Sequence, residues 1–525
     1  MPKVLIADEL SPRARDIFAE RGVEVDVAVG LDADELRRRI SAYQGLAVRS
    51  ATKVTAALLE AAPELKVIGR AGIGVDNIDV PAATQRGIVV MNTPYGNSIT
   101  AAEHAIAMLF ALARQIPAAD RSTQTGKWEK SRFMGVELTG KTLGIIGCGN
   151  VGAIVADRAQ GLRMKVLAYD PFLSAERAVD LGVEKVGLDE LLARADFVSL
   201  HTPLTDATRN IIDAAALARM KRGARLINCA RGGLVDEAAL AAALDKGHIA
   251  GAAVDVFVEE PARANPLFGR DSVVATPHLG AATSEAQENV ALQIAEQMAD
   301  FLLTGAVSNA VNVPSLTAEE AARLRPYMKL AEQLGSFAGQ LTETGLRAVT
   351  IEYEGAIADL NVKPLTAIAL TGLLAPQLAT VNMVNAPVIC RERGIAVSET
   401  RRADPGDYQT LMRVCVTTER RTRAVAGTLF AGDKPRLVRV EGIPLEGELG
   451  RHVLFVRNKD KPGFIGALGQ VLGAAEINIA TFHLGRTAPG EDAIALVEVD
   501  QPLPPPVLDA VRRLPHVIQV KAMRF

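Results

Sequence analysis

Apolar positions along the first 280 residues repeat with two periods. Short β-branched runs at Val4–Ala7, Gly45–Val48 and Leu65–Gly69 read as buried strands, and Ser11–Arg21 between them carries apolar residues at helical spacing. Such alternation predicts parallel βαβ units, with ligands expected at the carboxyl ends of the strands. The glycine-dense loop Gly69–Asp79 lies at one of these ends. Ser98–Arg114 predicts a helix, with Ser98 or Thr100 as its cap and Glu103 in its first turn. A second alternating run extends from Thr142 to about Ala282, followed by a helix at Ser284–Thr304 and an extended stretch at Ala306–Pro314. The pattern changes at Leu316. A charged helix, Ala318–Leu341, precedes mixed strands and helices to about Gly450, and His452–Phe525 runs strand, Pro-Gly turn, helix, strand, loop, strand, helix.

At roughly 150 residues per domain, a chain of this length predicts three to four domains. Lys plus Arg number 58 and Asp plus Glu 61, a net charge of −3, without the basic excess expected of a nucleic-acid binder. Four scattered cysteines form no CxxC pair or zinc spacing, so no metal site is expected and the thiols fit a reducing cytoplasm. The N-terminus turns acidic too early for a signal peptide. The longest apolar stretch, near Ala105–Ala113, covers about half a bilayer, so no membrane partner is expected.

The strand from Thr142 runs directly into Gly147-Cys-Gly149-Asn-Val-Gly152. Glycines there permit a tight turn and close approach of a pyrophosphate, and the following helix presents its N-terminus to the phosphates. A second strand, Lys165–Tyr169, ends in Asp170, an acceptor for two ribose hydroxyls. Pro171 and Phe172 follow, with no adjacent Arg for a 2′-phosphate, so NAD is favoured over NADP.

Three later strand ends carry polar groups. Arg231 follows Leu226–Ala230, two acids including Glu260 follow Gly251–Val254, and His278 follows Val273–Pro277. Oxidation of a 2-hydroxy acid needs a base for the hydroxyl proton, and an imidazole titrates near working pH, which suits His278. Glu260 would orient that ring, and Arg231 would hold the substrate carboxylate with its planar donor fork. His104 and His201 read as structural.

With these residues the chain resembles the D-isomer-specific 2-hydroxyacid dehydrogenases, in their long form with intervening and ACT domains. The resemblance covers essentially the whole chain and is most specific at Gly69–Asp79, Gly147–Gly152, Cys229–Gly233, Asp255–Pro261 and Pro277–Ala281. It implies a catalytic Arg231, Glu260 and His278, and NAD contacts from Asn150, Val151, Asp170, Thr202, Cys229, Ala230, Arg231, Asp255, His278, Gly280 and Ala281. It implies a substrate phosphate side at Arg49, Ser50 and Asn97, with Gly72 beside them. Lys130 and Arg132, next to Trp128, are weaker candidates aimed at a neighbouring subunit.

The implied fold is α/β. It has two Rossmann-like doubly wound parallel-sheet domains, a discontinuous substrate domain at 1–98 and 282–315 and an NAD domain at 99–281. An α+β intervening domain at 316–450 and a ferredoxin-like ACT domain at 451–525 follow. The implied reaction is NAD-dependent oxidation of 3-phosphoglycerate to 3-phosphohydroxypyruvate, the first step of serine synthesis, by a homotetramer with serine as effector at Asn458, Asp460 and Asn478. Asn458 stands where other members carry His or Tyr. A basic cluster at Lys434, Arg436, Arg439 and Arg451 is either an anion site or a solvated edge. Another D-2-hydroxy acid as substrate, and a dinucleotide-sensing binding protein without turnover, stay open as rival readings. Formate oxidation is disfavoured, because those enzymes carry Gln in place of Glu260.

Overall fold

The computed structural model describes residues 1–316, 318–404 and 406–525. The first sheet contains β1 (Lys3–Ile6), β2 (Glu24–Val27), β3 (Gly45–Val48), β4 (Val67–Arg70) and β5 (Val89–Met91), all parallel, in the order β2-β1-β3-β4-β5. Its strands are near-continuous apolar runs because helices cover both faces. Helix Ser284–Thr304 returns to this sheet from far along the chain and packs on it, with Ile294 and Met298 fully buried.

The second sheet contains β6 (Thr142–Ile146), β7 (Lys165–Tyr169), β8 (Glu184–Lys185), β9 (Phe197–Leu200), β10 (Ala224–Asn228), β11 (Ile249–Val254) and β12 (Val273–Ala275). All seven are parallel, in the order β12-β11-β10-β9-β6-β7-β8. The strand order reverses between β6 and β9, which is where such sheets open a ligand crevice. The chain enters this unit through helix Ser98–Arg114 and leaves it just before Ser284.

The third sheet is mixed: β13 (Leu346–Gly355), β14 (Ala396–Arg402), β15 (Thr410–Thr418), β16 (Thr422–Phe430), β17 (Lys434–Val440) and β18 (Ile443–Gly447), in the order β14-β13-β15-β16-β17-β18. The fourth is antiparallel: β19 (His452–Lys459), β20 (Ile479–Arg486), β21 (Asp492–Val499) and β22 (Val517–Arg524), in the order β20-β21-β19-β22. Two helices, Phe464–Ala474 and Pro505–Arg512, cover one face of it, giving a ferredoxin-like βαββαβ unit.

These units are not beads on a string. The long helix Ala318–Leu341 lies between the third and fourth sheets. Its buried Phe337 packs edge-on against Phe455 (6.0 Å between centroids) and stacks on Phe525 (6.1 Å). One apolar core runs from Val4 and Met298 through Leu334 and Phe337 to Phe455 and Met523. Asn382 donates to the Gly87 carbonyl at 2.9 Å and Asn385 to that of Gln85 at 3.2 Å, latching the third unit to the first.

Two expectations need correction. The cap of helix Ser98–Arg114 is Asn97, not Ser98 or Thr100, and it makes no side-chain capping bond; the Ser98 hydroxyl instead donates to the Pro94 carbonyl at 3.0 Å. The last segment ends in a strand, β22, beyond the helix where the expected rhythm stopped. No helix among the described residues is long and apolar enough to cross a membrane, and none of their His, Cys, Asp and Glu side chains form a group of three that could hold a metal.

Candidate active site

A cleft of about 350 Å³ opens between the first two units, at the carboxyl ends of their strands. Asn150, Val151, Thr202, Cys229, Ala230, Arg231, His278, Gly280 and Ala281 line it from the second unit, and Asn97 and Arg70 from the first. Residues scattered over more than 200 positions thus meet at the switch point, as the βαβ pattern required.

At the dinucleotide end, helix Asn150–Gly161 starts with Gly149 at its cap and no side chain satisfying its first amides. Those orphan N–H groups are anion-binding donors. A Cβ on Gly152 would lie 2.1 Å from the Gly147 carbonyl oxygen, so only glycine lets strand and helix approach this closely. Asp170, half-buried at the end of β7, accepts from the Cys148 amide and the Phe172 amide, each at 2.8 Å. Each oxygen keeps a lone pair for a ribose hydroxyl. These residues fit a dinucleotide.

At the chemical end, His278 Nδ1 lies 2.7 Å from Glu260 Oε2. With Nδ1–H donating to the carboxylate, the ring's Nε2 carries a lone pair. His278 has φ of 55°, an unusual left-handed backbone for a non-glycine residue. Glu260 is itself held, accepting from the Phe257 amide at 3.0 Å. His278, Glu260 and Ser50 also line a second cavity of about 540 Å³ beside the first. Asp255 lies beneath the cleft rather than on its wall. It is fully buried, and its carboxylate accepts from the Leu279 and Gly280 amides at 2.7 and 2.9 Å. Burial pushes its carboxyl up, but bonds from His104, Thr276 and Leu279 outweigh this and hold it below the usual range.

Three arginines converge on the substrate side. Arg231 bonds through Nε to Asp76 at 3.0 Å and through a terminal nitrogen to the Ala230 carbonyl at 2.7 Å. Arg49 follows β3 on a loop pinned by buried Asp8, which accepts from the Arg49 amide at 2.6 Å and the Thr52 hydroxyl at 2.6 Å. The third, Arg70, was not among the expected site residues. It ends β4, and its Nε is shielded from solvent without a hydrogen-bond partner. Desolvation, then the nearby Arg231 charge, lowers its guanidinium to about 10. Gly72 has φ of 145°, and a Cβ there would fall 1.8 Å from the Arg70 guanidinium, so this glycine clears space for it. Asn97 is buried with an unpartnered side-chain oxygen on the same side. The available signal for Arg70 was a lone cation closing an otherwise apolar strand.

Other candidates are committed elsewhere. Arg132 pairs with Glu129 and Asp271 on the surface, and Arg436 with Glu448. In the fourth unit a pocket of about 290 Å³ is lined by Asn458, Asp460 and the Lys461–Gly466 turn. There Asp460 pairs with Arg486 at 2.7 Å, Asn478 donates to Asp500 at 2.8 Å, and Asn458 is buried with its oxygen unpartnered. His201 is on the cleft wall, bonded to the Ser199 hydroxyl at 2.8 Å, and desolvation lowers its imidazole to about 4. Cys229 on the same wall has its thiol pushed well up by burial.

Comparison with known proteins resolves the family. Residues 106–280 match the D-isomer specific 2-hydroxyacid dehydrogenase NAD binding domain, 323–441 the D-3-phosphoglycerate dehydrogenase intervening domain, and 452–516 the ACT domain. The chain is 44% identical over 516 residues to the D-3-phosphoglycerate dehydrogenase of Synechocystis, covering 98% of this chain and 93% of that one. It is 43% identical over 520 residues to that of Archaeoglobus fulgidus, covering 98% of each. The chain belongs to the D-3-phosphoglycerate dehydrogenase family. It is an NAD-dependent oxidoreductase with an ACT regulatory domain. Among solved structures, a Thermus thermophilus protein is 37% identical with a TM-score of 0.55, covering 59% of this chain and 99% of that one. A D-lactate dehydrogenase from Aquifex aeolicus, complexed with NAD and lactic acid, is 28% identical with a TM-score of 0.53, covering 59% of this chain and all of its own. Shorter family members therefore span only the dehydrogenase part.

Proposed function

We propose that this chain oxidises D-3-phosphoglycerate to 3-phosphohydroxypyruvate with NAD, the first step of serine synthesis, with Arg231, Glu260 and His278 as its catalytic residues. The observation that carries the reading is the 2.7 Å His278–Glu260 pair, whose imidazole lines the same cleft as Arg70 and Arg231, with the Arg49 charge close to Arg70. His278 Nε2 takes the C2 hydroxyl proton, and the Glu260 carboxylate stabilises the imidazolium that results. Arg231 holds the substrate carboxylate through its terminal nitrogens, since Asp76 occupies the Nε edge of its fork. Arg70 and Arg49, with Asn97, take the phosphate, and unpartnered polar atoms on Arg70 and Asn97 are supporting features. The helix start at Gly149–Asn150, Asp170 and the Thr202 and Cys229–Arg231 loops hold NAD, which when bound accepts the C2 hydride.

The proposed domain limits are 1–98 with 282–315, 99–281, 316–450 and 451–525, and the two crossings and the order of elements are features that support them. Serine is the effector in the Asn458–Asp460 pocket of the ACT domain, where an amino acid would compete with Arg486 for Asp460. The proposed assembly is a homotetramer; exposed apolar residues around helix 98–114, including Ile99, Trp128 and Met134, support self-association through that face. Four free thiols, none exposed, suit a reducing cytoplasm.

The test is NADH formation with D-3-phosphoglycerate beside unphosphorylated D-glycerate and D-lactate, with and without serine. Preference for the phosphorylated acid is the expected result. Equal or better turnover of the unphosphorylated acids would reject the substrate assignment, and indifference to serine would reject the effector.

A further inference from the structure

The chain crosses from the first unit to the second on helix Ser98–Arg114 and returns through the loop that follows His278, into helix Ser284–Thr304. A single buried carboxylate joins the two crossings. Asp255 Oδ1 accepts from the Thr276 hydroxyl at 2.6 Å and the Leu279 amide at 2.7 Å, and Oδ2 accepts from the Gly280 amide at 2.9 Å. The His278 amide donates to the Asp255 carbonyl at 2.9 Å. The backbone that carries His278 is thus wrapped around this side chain.

Two amides and a hydroxyl come from the loop itself, and a fully buried carboxylate is costly unless it is hydrogen-bonded on every side, which calls for a partner from outside that loop. Among the described residues the partner is His104, on the outbound helix, whose Nε2 lies 3.2 Å from Asp255 Oδ1 and 3.3 Å from the Thr276 hydroxyl. The His104 side chain is 17% exposed and the Asp255 side chain 0%. His104 does not line the cleft, so its reach to the chemistry runs through Asp255.

We propose that His104 is a positioning residue: by donating Nε2–H to Asp255 it fixes the 278–281 backbone, ties it to the outbound crossing, and so aims the ring of His278. This rests on the reading of His278 as the base. The contact supplies a tether that the loop's own amides cannot, because it comes from a separate element, the outbound helix, which packs beside this loop in the second unit.

The test compares wild type, His104→Ala and His104→Gln as full-length protein. Gln places an amide donor where Nε2 lies and retains the bond. His104→Ala is expected to lower kcat about tenfold or more with a smaller change in KM for the phosphorylated acid, and His104→Gln to recover to within about threefold of wild type. Hydrogen–deuterium exchange supplies a readout independent of turnover: the 276–282 amides should exchange at least about tenfold faster in His104→Ala, and near the wild-type rate in His104→Gln. Unchanged protection of these amides in the alanine variant overturns the proposal, whatever the activity. So does equal loss in both variants. A wild-type protein that turns over no 2-hydroxy acid would instead reject the proposed function and leave the exchange result to judge the tether.

Discussion

Arg231 reaches across the cleft to Asp76, its Nε 3.0 Å from a carboxylate that lies 155 positions earlier in the chain. The pair links the two units at the mouth of the site. Asp76 is 68% exposed, so its contribution to stability is small, and its consequence is orientation of the guanidinium. Asp76→Asn is therefore expected to lower kcat about tenfold, since a misaimed substrate loses the alignment a near-attack geometry needs. Steady-state kinetics decide it, and an unchanged kcat would show that Arg231 needs no such hold.

The His278–Glu260 pair predicts a division of effects. His278→Ala should lower kcat by about 100-fold to 10,000-fold, the usual range for a general base. Glu260→Gln, which keeps a hydrogen bond to Nδ1 but removes the charge, should lower kcat while leaving NAD affinity within about threefold. NAD titration beside the rate measurements separates the two. A loss of cofactor binding equal to the loss of rate would mean that these residues serve the cofactor.

Arg70 presents a test with opposite signs. A largely desolvated arginine whose Nε is shielded from solvent without a partner costs folding energy, so Arg70→Met should hold or raise Tm. The same change should raise KM for the phosphorylated acid at least about tenfold, the scale of a lost charged contact. A lowered Tm with an unchanged KM would assign Arg70 to structure alone.

His201 should contribute a pH dependence. Desolvation lowers its imidazole from 6.5 to about 4, so the unfolded chain takes up a proton that the folded chain resists. That stability is complete above about pH 6.5 and is lost as pH falls from there to about 4. The scale is at most about 3 kcal/mol. Melting curves between pH 7.5 and 4.5 should fall less steeply for His201→Asn than for wild type; parallel curves would reject the assignment.

The legible parts of this fold are those in which local pattern and packing agree. Gly45–Val48, Lys165–Tyr169, Ser98–Arg114 and Ser284–Thr304 fold with the bounds their periodicity predicts, because each presents an apolar face to one core. Strand Val517–Arg524 was not legible, since it is an edge strand with mixed polar and apolar residues on both faces. Gly147–Gly152, Arg231, Glu260 and His278 were legible because their chemistry sits at strand ends. Asp76 and Asp8 were not, because each acts through a partner far away in sequence, and Arg70 was not, because its setting comes from burial and from the distant Arg231 charge; alone each looks like an ordinary surface charge.

Phe337 has a consequence for how such a chain can be divided. Its ring is covered on two sides by Phe455 and Phe525 of the last unit, while its own helix leans on the sheet before it. Cutting the chain at 451 would strip that cover and open an apolar stripe to water, at about 1.5–3 kcal/mol for each large side chain exposed. The sensory end is therefore not a detachable accessory. Its removal would damage the neighbouring domain, and an enzyme truncated there would need a new surface designed for that helix.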